Sequence, residues 1–297
     1  MVGDGEPWLA YQANRIMLVR PDGTGTHGLL VSTSQTGPQL HPDWSPDGAR
    51  IAFSADGQDG TRDIWMANAD GSGLERVFDC AAPCGWADDP AWSPDGARIM
   101  WQQGTAVGDD GTGVGTLEVL DLASGDRSTV FTGAPTEYLY VPRWAPDGKS
   151  VVVELDRFAS ARLDEEQVVE ATVGIVDLEA SKPRFEPVAP WDPGAGNPDW
   201  SPDGTSIVYA RPEGGQRSDV WIVPVAGGDA RRLTTYAEDG GRTLQPTWTP
   251  DGTGVILVAE TKIGEPRAGL VPAAGGDVQL IGPDEVPRTH PRLRPVP

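Results

Sequence analysis

Three histidines, two cysteines and a surplus of carboxylates are the groups in this chain equipped to do chemistry. His41, Asp89 and His290 each stand directly before a proline. Two imidazoles and a carboxylate form a donor set for a divalent metal, the one cofactor the sequence suggests. A polar, water-filled mouth is the alternative role for the same side chains. Cys80 and Cys84 are separated by Ala-Ala-Pro, with too few ligands nearby for zinc. They read as a small disulfide, and so as a sign of an oxidising compartment, with two free thiols as the alternative. Nucleophilic hydrolysis finds no support: Gly-x-Ser-x-Gly is absent, the cysteines sit together, and His27 reads as a turn residue. Gly108-Asp109-Asp110-Gly111 is an acidic loop that would repel a phosphate. No residue is assigned a catalytic role.

Charge narrows the partners. Asp+Glu 44 against Lys+Arg 23 leaves a net charge of -21, which opposes nucleic acid and anionic membrane surfaces. Such acidity serves solubility, or it serves a basic partner or cation. No apolar run approaches the ~18 residues of a membrane span. Met1-Val2-Gly3-Asp4-Gly5 lacks the basic start and apolar core of a signal peptide. The expected location is periplasmic or secreted, with the export signal absent from this sequence; a cytosolic protein is the alternative.

Whether His41, Asp89 and His290 meet depends on the elements that carry them, and a repeat discloses those elements. His41-Pro42-Asp43-Trp44-Ser45-Pro46-Asp47-Gly48 recurs as Asp89 to Gly96, Val141 to Gly148, Asn197 to Gly204 and Gln245 to Gly252. Within it, Pro presets φ at a turn, Asp bonds back to the backbone, and Gly takes the left-handed conformation. A β-rich run follows each turn, such as Arg50-Ile51-Ala52-Phe53, then a second, such as Asp63-Ile64-Trp65-Met66. A Gly turn and a last strand, such as Arg231 to Thr234, complete a unit of four strands. The motif tryptophans stand 48, 52, 56 and 48 residues apart, so each unit carries more than the about 40–45 residues a blade needs. The excess belongs in loops. The remaining unit comes from both ends: Trp8 to Tyr11, Ile16 to Val19 and Leu29 to Val31 lack a first strand, and His290-Pro291-Arg292-Leu293 supplies it.

The expected fold is therefore all-β: one six-bladed β-propeller of four-stranded blades spanning 1–297. Its first blade combines 1–37 with 288–297, so the termini close the ring and leave no open edge there.

The phrase x-Pro-x-Trp-Ser-Pro-Asp-Gly, followed by an Ile-x-Phe-like and an Ile-Trp-like strand, resembles the repeat of TolB-like propellers, a WD40-like Pro-Asp repeat family. The resemblance covers essentially the whole chain. It implies six blades, export to the periplasm or cell exterior, and a platform for protein binding. Similar propellers occur in prolyl-oligopeptidase-type enzymes and metal-dependent oligogalacturonate lyases, so the fold leaves function open.

Trp44, Trp92, Trp144, Trp200 and Trp248 recur in each of the five full copies of the phrase and read as packing between blades. The Ser-Pro-Asp-Gly aspartates read as turn formers. Binding is expected where the repeat breaks, on the face carrying long connections. Trp86, Tyr138, Tyr140, Trp191 and Tyr236 are assigned to those connections, with Asp88, Asp109, Asp110, Asp164, Glu165, Glu166, Glu238 and Asp239. The residues before the prolines, His41, Asp89, Val141, Asn197, Gln245 and His290, are expected around the channel mouth on the same face. Two functions follow. One is a non-catalytic, monomeric propeller binding a protein, peptide or glycan on the long-loop face. The other is a metal-assisted polysaccharide lyase or hydrolase at the mouth, using His41, Asp89 and His290.

Overall fold

The computed structural model describes the chain apart from residues 1–5, 14, 30–35, 58–59, 107–112, 161–166, 216, 262–263, 265, 282–288 and 296–297. Asp109, Asp110, Asp164, Glu165, Glu166 and residue 288 thus lie outside the described residues. The described residues form sheets that are antiparallel save for one parallel pair, with turns between strands and one short 3-10 turn, Tyr236–Asp239. No helix among the described residues is long and apolar enough to cross a membrane.

Each turn of the repeat is built as its residues dictate. Asp47 Oδ1 accepts hydrogen bonds from Ser45 Oγ at 2.6 Å and from the Ala49 amide at 3.0 Å, while Gly48 sits at φ 64°. The same bonds recur at Asp95, Asp203 and Asp251. They hold all four carboxyls below the usual carboxylate range. These aspartates are spent on turns.

The turn joins an inner strand to its neighbour, and four sheets of four strands result. Gln39–Trp44, Arg50–Asp56, Arg62–Asn68 and Glu75–Phe78 form one. Cys84–Trp92, Arg98–Ala106, Gly113–Asp121 and Arg127–Thr132 form the next, followed by Glu137–Trp144, Ser150–Phe158, Val168–Asp177 and Phe185–Pro187. In the fourth, Thr289–Leu293 pairs antiparallel with Leu9–Gln12, which continues to Ile16–Val19 and His27–Gly28.

Where two further separate sheets were expected, the strands from Gly196 to Leu280 form one eight-stranded sheet. Its halves are joined by a single parallel pair, Ser218 with Arg242. The reason is local. The outer strand expected over Arg231 to Thr234 shortens to Arg231–Arg232, because Leu233 and Thr234 turn inward to bond the Val220 carbonyl. That leaves Ser218 free to donate its hydroxyl to the Thr243 carbonyl at 2.9 Å. The two halves otherwise meet face to face, with Val208, Val220, Ile222 and Leu233 against Val255, Leu257 and Val271.

Similar apolar layers lie between the other neighbouring sheets. The inner strands touch in a cycle. Thr289–Leu293 lies beside Gln39–Trp44, which lies beside Cys84–Trp92, then Glu137–Trp144, Gly196–Trp200 and Arg242–Trp248, which returns to Thr289–Leu293. Motif tryptophans stitch these neighbours. The Trp44 indole donates to the Arg292 carbonyl at 3.1 Å and the Trp144 indole to the Ala91 carbonyl at 3.2 Å. Where the preceding sheet offers an aspartate, that carboxylate takes the tryptophan's backbone amide instead: Asp43 with Trp92 and Asp199 with Trp248, both at 2.8 Å. Packing between sheets is what the repeated indoles do.

Candidate functional site at the channel mouth

A kink in every inner strand builds the mouth. His41, Asp89, Val141, Asn197, Gln245 and His290 all adopt positive φ, between 48° and 53°. Left-handed backbone is uncommon for residues other than glycine and an outlier for β-branched valine. Here it repeats at one motif position, before proline, where ordinary helical backbone is disfavoured. The register with the partner strand slips at the same place, between Leu40 and Asp43 and between Asp88 and Ala91, for example. Such a bulge re-aims a side chain.

A cavity of about 480 Å³ opens here. His41, Asp89, Val141, Asn197 and His290 line it, with Trp86, Asp88, Tyr138 and Tyr140. So do Arg62, Gln102, Glu154, Asp156 and Phe158, which sequence reasoning had not selected. The signal was available in part: Glu154 and Asp156 alternate directly after the run Val151 to Val153, as an acidic face of a longer strand would.

The structure places several of the expected residues differently. Trp86, Tyr138 and Tyr140 belong to strands, Cys84–Trp92 and Glu137–Trp144, and not to loops. Their inner strands run on past the bulge, because Arg98–Ala106 and Ser150–Phe158 are long enough to pair with the extension. Trp191 is not among the lining residues; it packs near Phe185 under the Arg157 guanidinium, 3.9 Å above the ring. Tyr236 sits in the 3-10 turn against the 208–271 apolar layer. Gln245 acts through a neighbour: its Oε1 accepts the His290 amide at 2.8 Å, and its Nε2 lies 2.9 Å from His290 Nε2.

Among the described residues, the group whose ligand atoms all lie within 4.8 Å of one another is His41, Asp88 and Asp89, which holds two of the expected metal trio with Asp88 as the third member. His290 instead sits edge-on to His41, ring centroids 4.2 Å apart. Asp88 already serves several donors. His41 Nδ1 lies 2.6 Å from Oδ1, which also accepts the Ser54 hydroxyl and the Asp89 amide, while Arg62 Nη1 reaches Oδ2 at 2.5 Å. Charge here is balanced internally. The cations hold the Asp88 carboxyl well below the usual range against the opposing effect of burial. Asp89 and Asp88 raise the His41 imidazole, outweighing the desolvation that lowers it. Burial, with His41 beside it, pushes His290 well down, so it stays neutral. As the side chains lie, a dication at Asp88 would displace a guanidinium.

The opposite wall behaves differently. Glu154 and Asp156 are buried side by side, and two ionised carboxylates there would repel each other, so the pair keeps a proton. Burial and mutual repulsion push Asp156 up to about 8, and burial pushes Glu154 to about 7 although Asn197 donates to it through its amide at 2.8 Å and Nδ2 at 3.1 Å. Both values lie above those of an unfolded chain, so the folded protein binds extra protons between roughly pH 4 and 8. Stability contributed by the pair is present at low pH and is lost as pH rises through 7 to 8. The variant Glu154→Gln/Asp156→Asn is therefore expected to melt above wild type at pH 9, by on the order of a few degrees. The gap should close by pH 5. Melting curves across that range check it, and parallel curves would refute the shared proton.

The aromatic wall is continuous. The Trp86 and Tyr138 rings stack 5.9 Å apart, and Tyr138 meets Phe158 edge-on at 5.3 Å. Gly104 makes room: a Cβ there would lie 2.3 Å from the Trp86 ring. The Cys80–Cys84 disulfide, Cα atoms 5.3 Å apart, precedes this wall and ties the start of its strand. Two residues along the inner strands from the mouth, Asp43, Arg143, Asp199 and Arg292 form a belt of charge. Arg292 lies 3.7 Å from Asp43, and burial beside Arg143 lowers it to about 10.

No protein-family model and no curated protein sequence matches the chain. Solved structures do. TolB from Acinetobacter baumannii superposes with a TM-score of 0.73 at 18% identity, over 98% of this chain and 67% of that one. A putative TolB from Agrobacterium tumefaciens gives 0.65 at 20%, over 98% and 99%. An oligogalacturonate lyase in complex with manganese gives 0.58 at 15%, over 94% and 74%. The chain is an all-β propeller of four-stranded antiparallel blades with a TolB-like fold. At these identities the likeness concerns the fold alone.

Proposed function

We propose that this propeller has six blades, the first shared between the two ends of the chain, and that it binds a partner at the mouth described above. Cyclic contact of six inner strands, and one left-handed residue before proline in each, support the count. The binding reading rests on one observation. The cavity is walled by aromatic and acidic side chains that break the repeat, whereas the turns around Asp47, Asp95, Asp203 and Asp251 are near copies of one another. A concave, aromatic-lined site with a few converging polar groups is the usual form of a ligand site. The partner is a protein, peptide or glycan that inserts a protruding group. An extracytoplasmic location is supported by the disulfide. A monomer is supported by the surface, where Val169 and Leu280 are the exposed large apolar side chains among the described residues.

Peptide and glycan arrays probed with labelled protein test the reading. Hits are expected to be lost with Trp86→Ala and Tyr138→Ala and kept by Asp203→Asn on the opposite face. Hits that survive both mouth variants would refute it. A second reading, metal-assisted lyase or hydrolase chemistry, is favoured by the closeness of His41, Asp88 and Asp89. The Arg62 and His41 bonds to Asp88 count against it. Saturable Mn²⁺ binding that is lost in Asp89→Ala would favour this second reading over the first.

A further inference from the structure

We propose that the mouth cavity is a receptor site for a guanidinium group, an arginine side chain of the partner, taken between Asp89, Glu154 and Asp156 and the Trp86–Tyr138 wall. This rests on the mouth being the binding site, and it names the chemistry that site takes.

Pairing off the charges shows what remains. Arg62 is used by Asp88 and by Asp56, whose Oδ1 accepts Arg62 Nε at 2.9 Å. The His41 imidazole is used by Asp88, and His290 is neutral and turned to Gln245. Glu154 and Asp156 have no cation within ion-pair distance among the described residues, and Asp89 has only the edge of His41 at 3.5 Å. Among the described residues, the cavity therefore keeps carboxyls without matching positive charge.

Three buried atoms lining it also lack a hydrogen bond among the described residues: Asp89 Oδ1, Asp156 Oδ1 and the Tyr138 hydroxyl. Asp89 is 4% exposed, Tyr138 5% and Asp156 9%. Leaving such buried atoms unpaired is unfavourable, so a donor that reaches them is strongly favoured. The acceptors stand on three strands of two adjoining sheets, Cys84–Trp92, Glu137–Trp144 and Ser150–Phe158. A compact ammonium with three donors suits one carboxylate. A guanidinium carries five donors spread through a plane, and so serves separated acceptors at once. Its flat face also suits an aromatic wall, where a desolvated cation gains further attraction. It takes the place of the proton that Glu154 and Asp156 share. The net charge of -21 draws such a group in from a distance.

Isothermal titration with acetyl-Gly-Arg-Gly-amide tests this, against the same peptide with citrulline or lysine and against free L-arginine. The arginine peptide should bind saturably, with the citrulline peptide weaker by about 30-fold or more, since citrulline keeps the shape but loses the charge. Asp156→Asn and Asp89→Asn should each weaken arginine binding by about tenfold or more while melting no lower than 5 °C below wild type, and Asp203→Asn should leave it within about twofold. Equal binding of citrulline or lysine, no binding at about 5 mM, or unchanged affinity in Asp156→Asn would each overturn the assignment. Free arginine binding more tightly than the peptide would overturn a protein source for the group. Array hits that depend on Trp86 and Tyr138 yet contain no arginine would overturn this inference and leave the mouth reading intact.

Discussion

A chain ending at residue 288 is expected to melt at least ~10 °C below the full-length protein, or to lose its cooperative transition altogether. Ordinary terminal tails can be trimmed at little cost, but Thr289–Leu293 is an inner strand. Its removal strips the pairings Leu9 with Leu293, Ala10 with Arg292 and Gln12 with Thr289. It takes the carbonyl that accepts the Trp44 indole. It also takes Arg294, whose amide donates to the Trp8 carbonyl at 2.7 Å and whose Nε donates to the Gly48 carbonyl at 2.8 Å. Leu9–Gln12 becomes an open edge, and Asp43 loses its Arg292 neighbour while remaining largely buried. Several independent losses of roughly 1 kcal/mol or more fall on one junction, which is why the effect should be large. Calorimetry of the two chains decides it. Equal melting temperatures would show that the ends of the chain do not hold the ring.

Substituting Asp88 should be the most damaging single change at the mouth. Asp88→Ala is expected to destabilise the protein by about 3–5 kcal/mol, since removing one partner of a buried ion pair leaves the others uncompensated. His41 would lose its 2.6 Å bond and Arg62 its 2.5 Å bond, and Ser54 and the Asp89 amide would lose their acceptor. Asp88→Asn keeps the shape and one acceptor oxygen, so its loss should be smaller. The pH dependence follows from the direction of the shift. Because the folded carboxyl titrates below its ordinary value of 3.8, the stability it supplies is present above that value and is lost as pH falls towards the folded pKa. The wild-type advantage over Asp88→Ala should thus be full at pH 6 and shrink below pH 4. Urea unfolding at several pH values measures it. A difference that grew on acidification would mean that Asp88 is not the ionised partner of His41 and Arg62.

Much of this molecule is legible in its sequence because its repeat is made of local instructions. Pro46, Asp47 and Gly48 specify a turn by φ restriction, a side-chain bond and a left-handed residue, and need nothing from the rest of the chain. The indoles of Trp44 and Trp144 could be read as packing because a residue repeated in five units serves what those units share. The polar residues before the prolines could be placed at the mouth on the same logic, and their positive φ is what turns that position inward.

Only the folded ring decided which groups meet. Asp88 is an ordinary acidic residue in the sequence; it becomes the hub of the mouth because Ser54 and Arg62 arrive from the neighbouring sheet. Glu154 and Asp156 sit two apart in a run of hydrophobic residues, and their shared proton exists because the strand turns both towards one poorly solvated cavity. Trp191 and Tyr236 looked equivalent to Trp86 and Tyr138 by composition, yet local contacts with Arg157 and with the 208–271 layer keep them elsewhere. The difference is one of range. Turns and strand periodicity are set by neighbours along the chain, whereas burial, charge pairing and a common cavity depend on distances across sheets that no local pattern encodes.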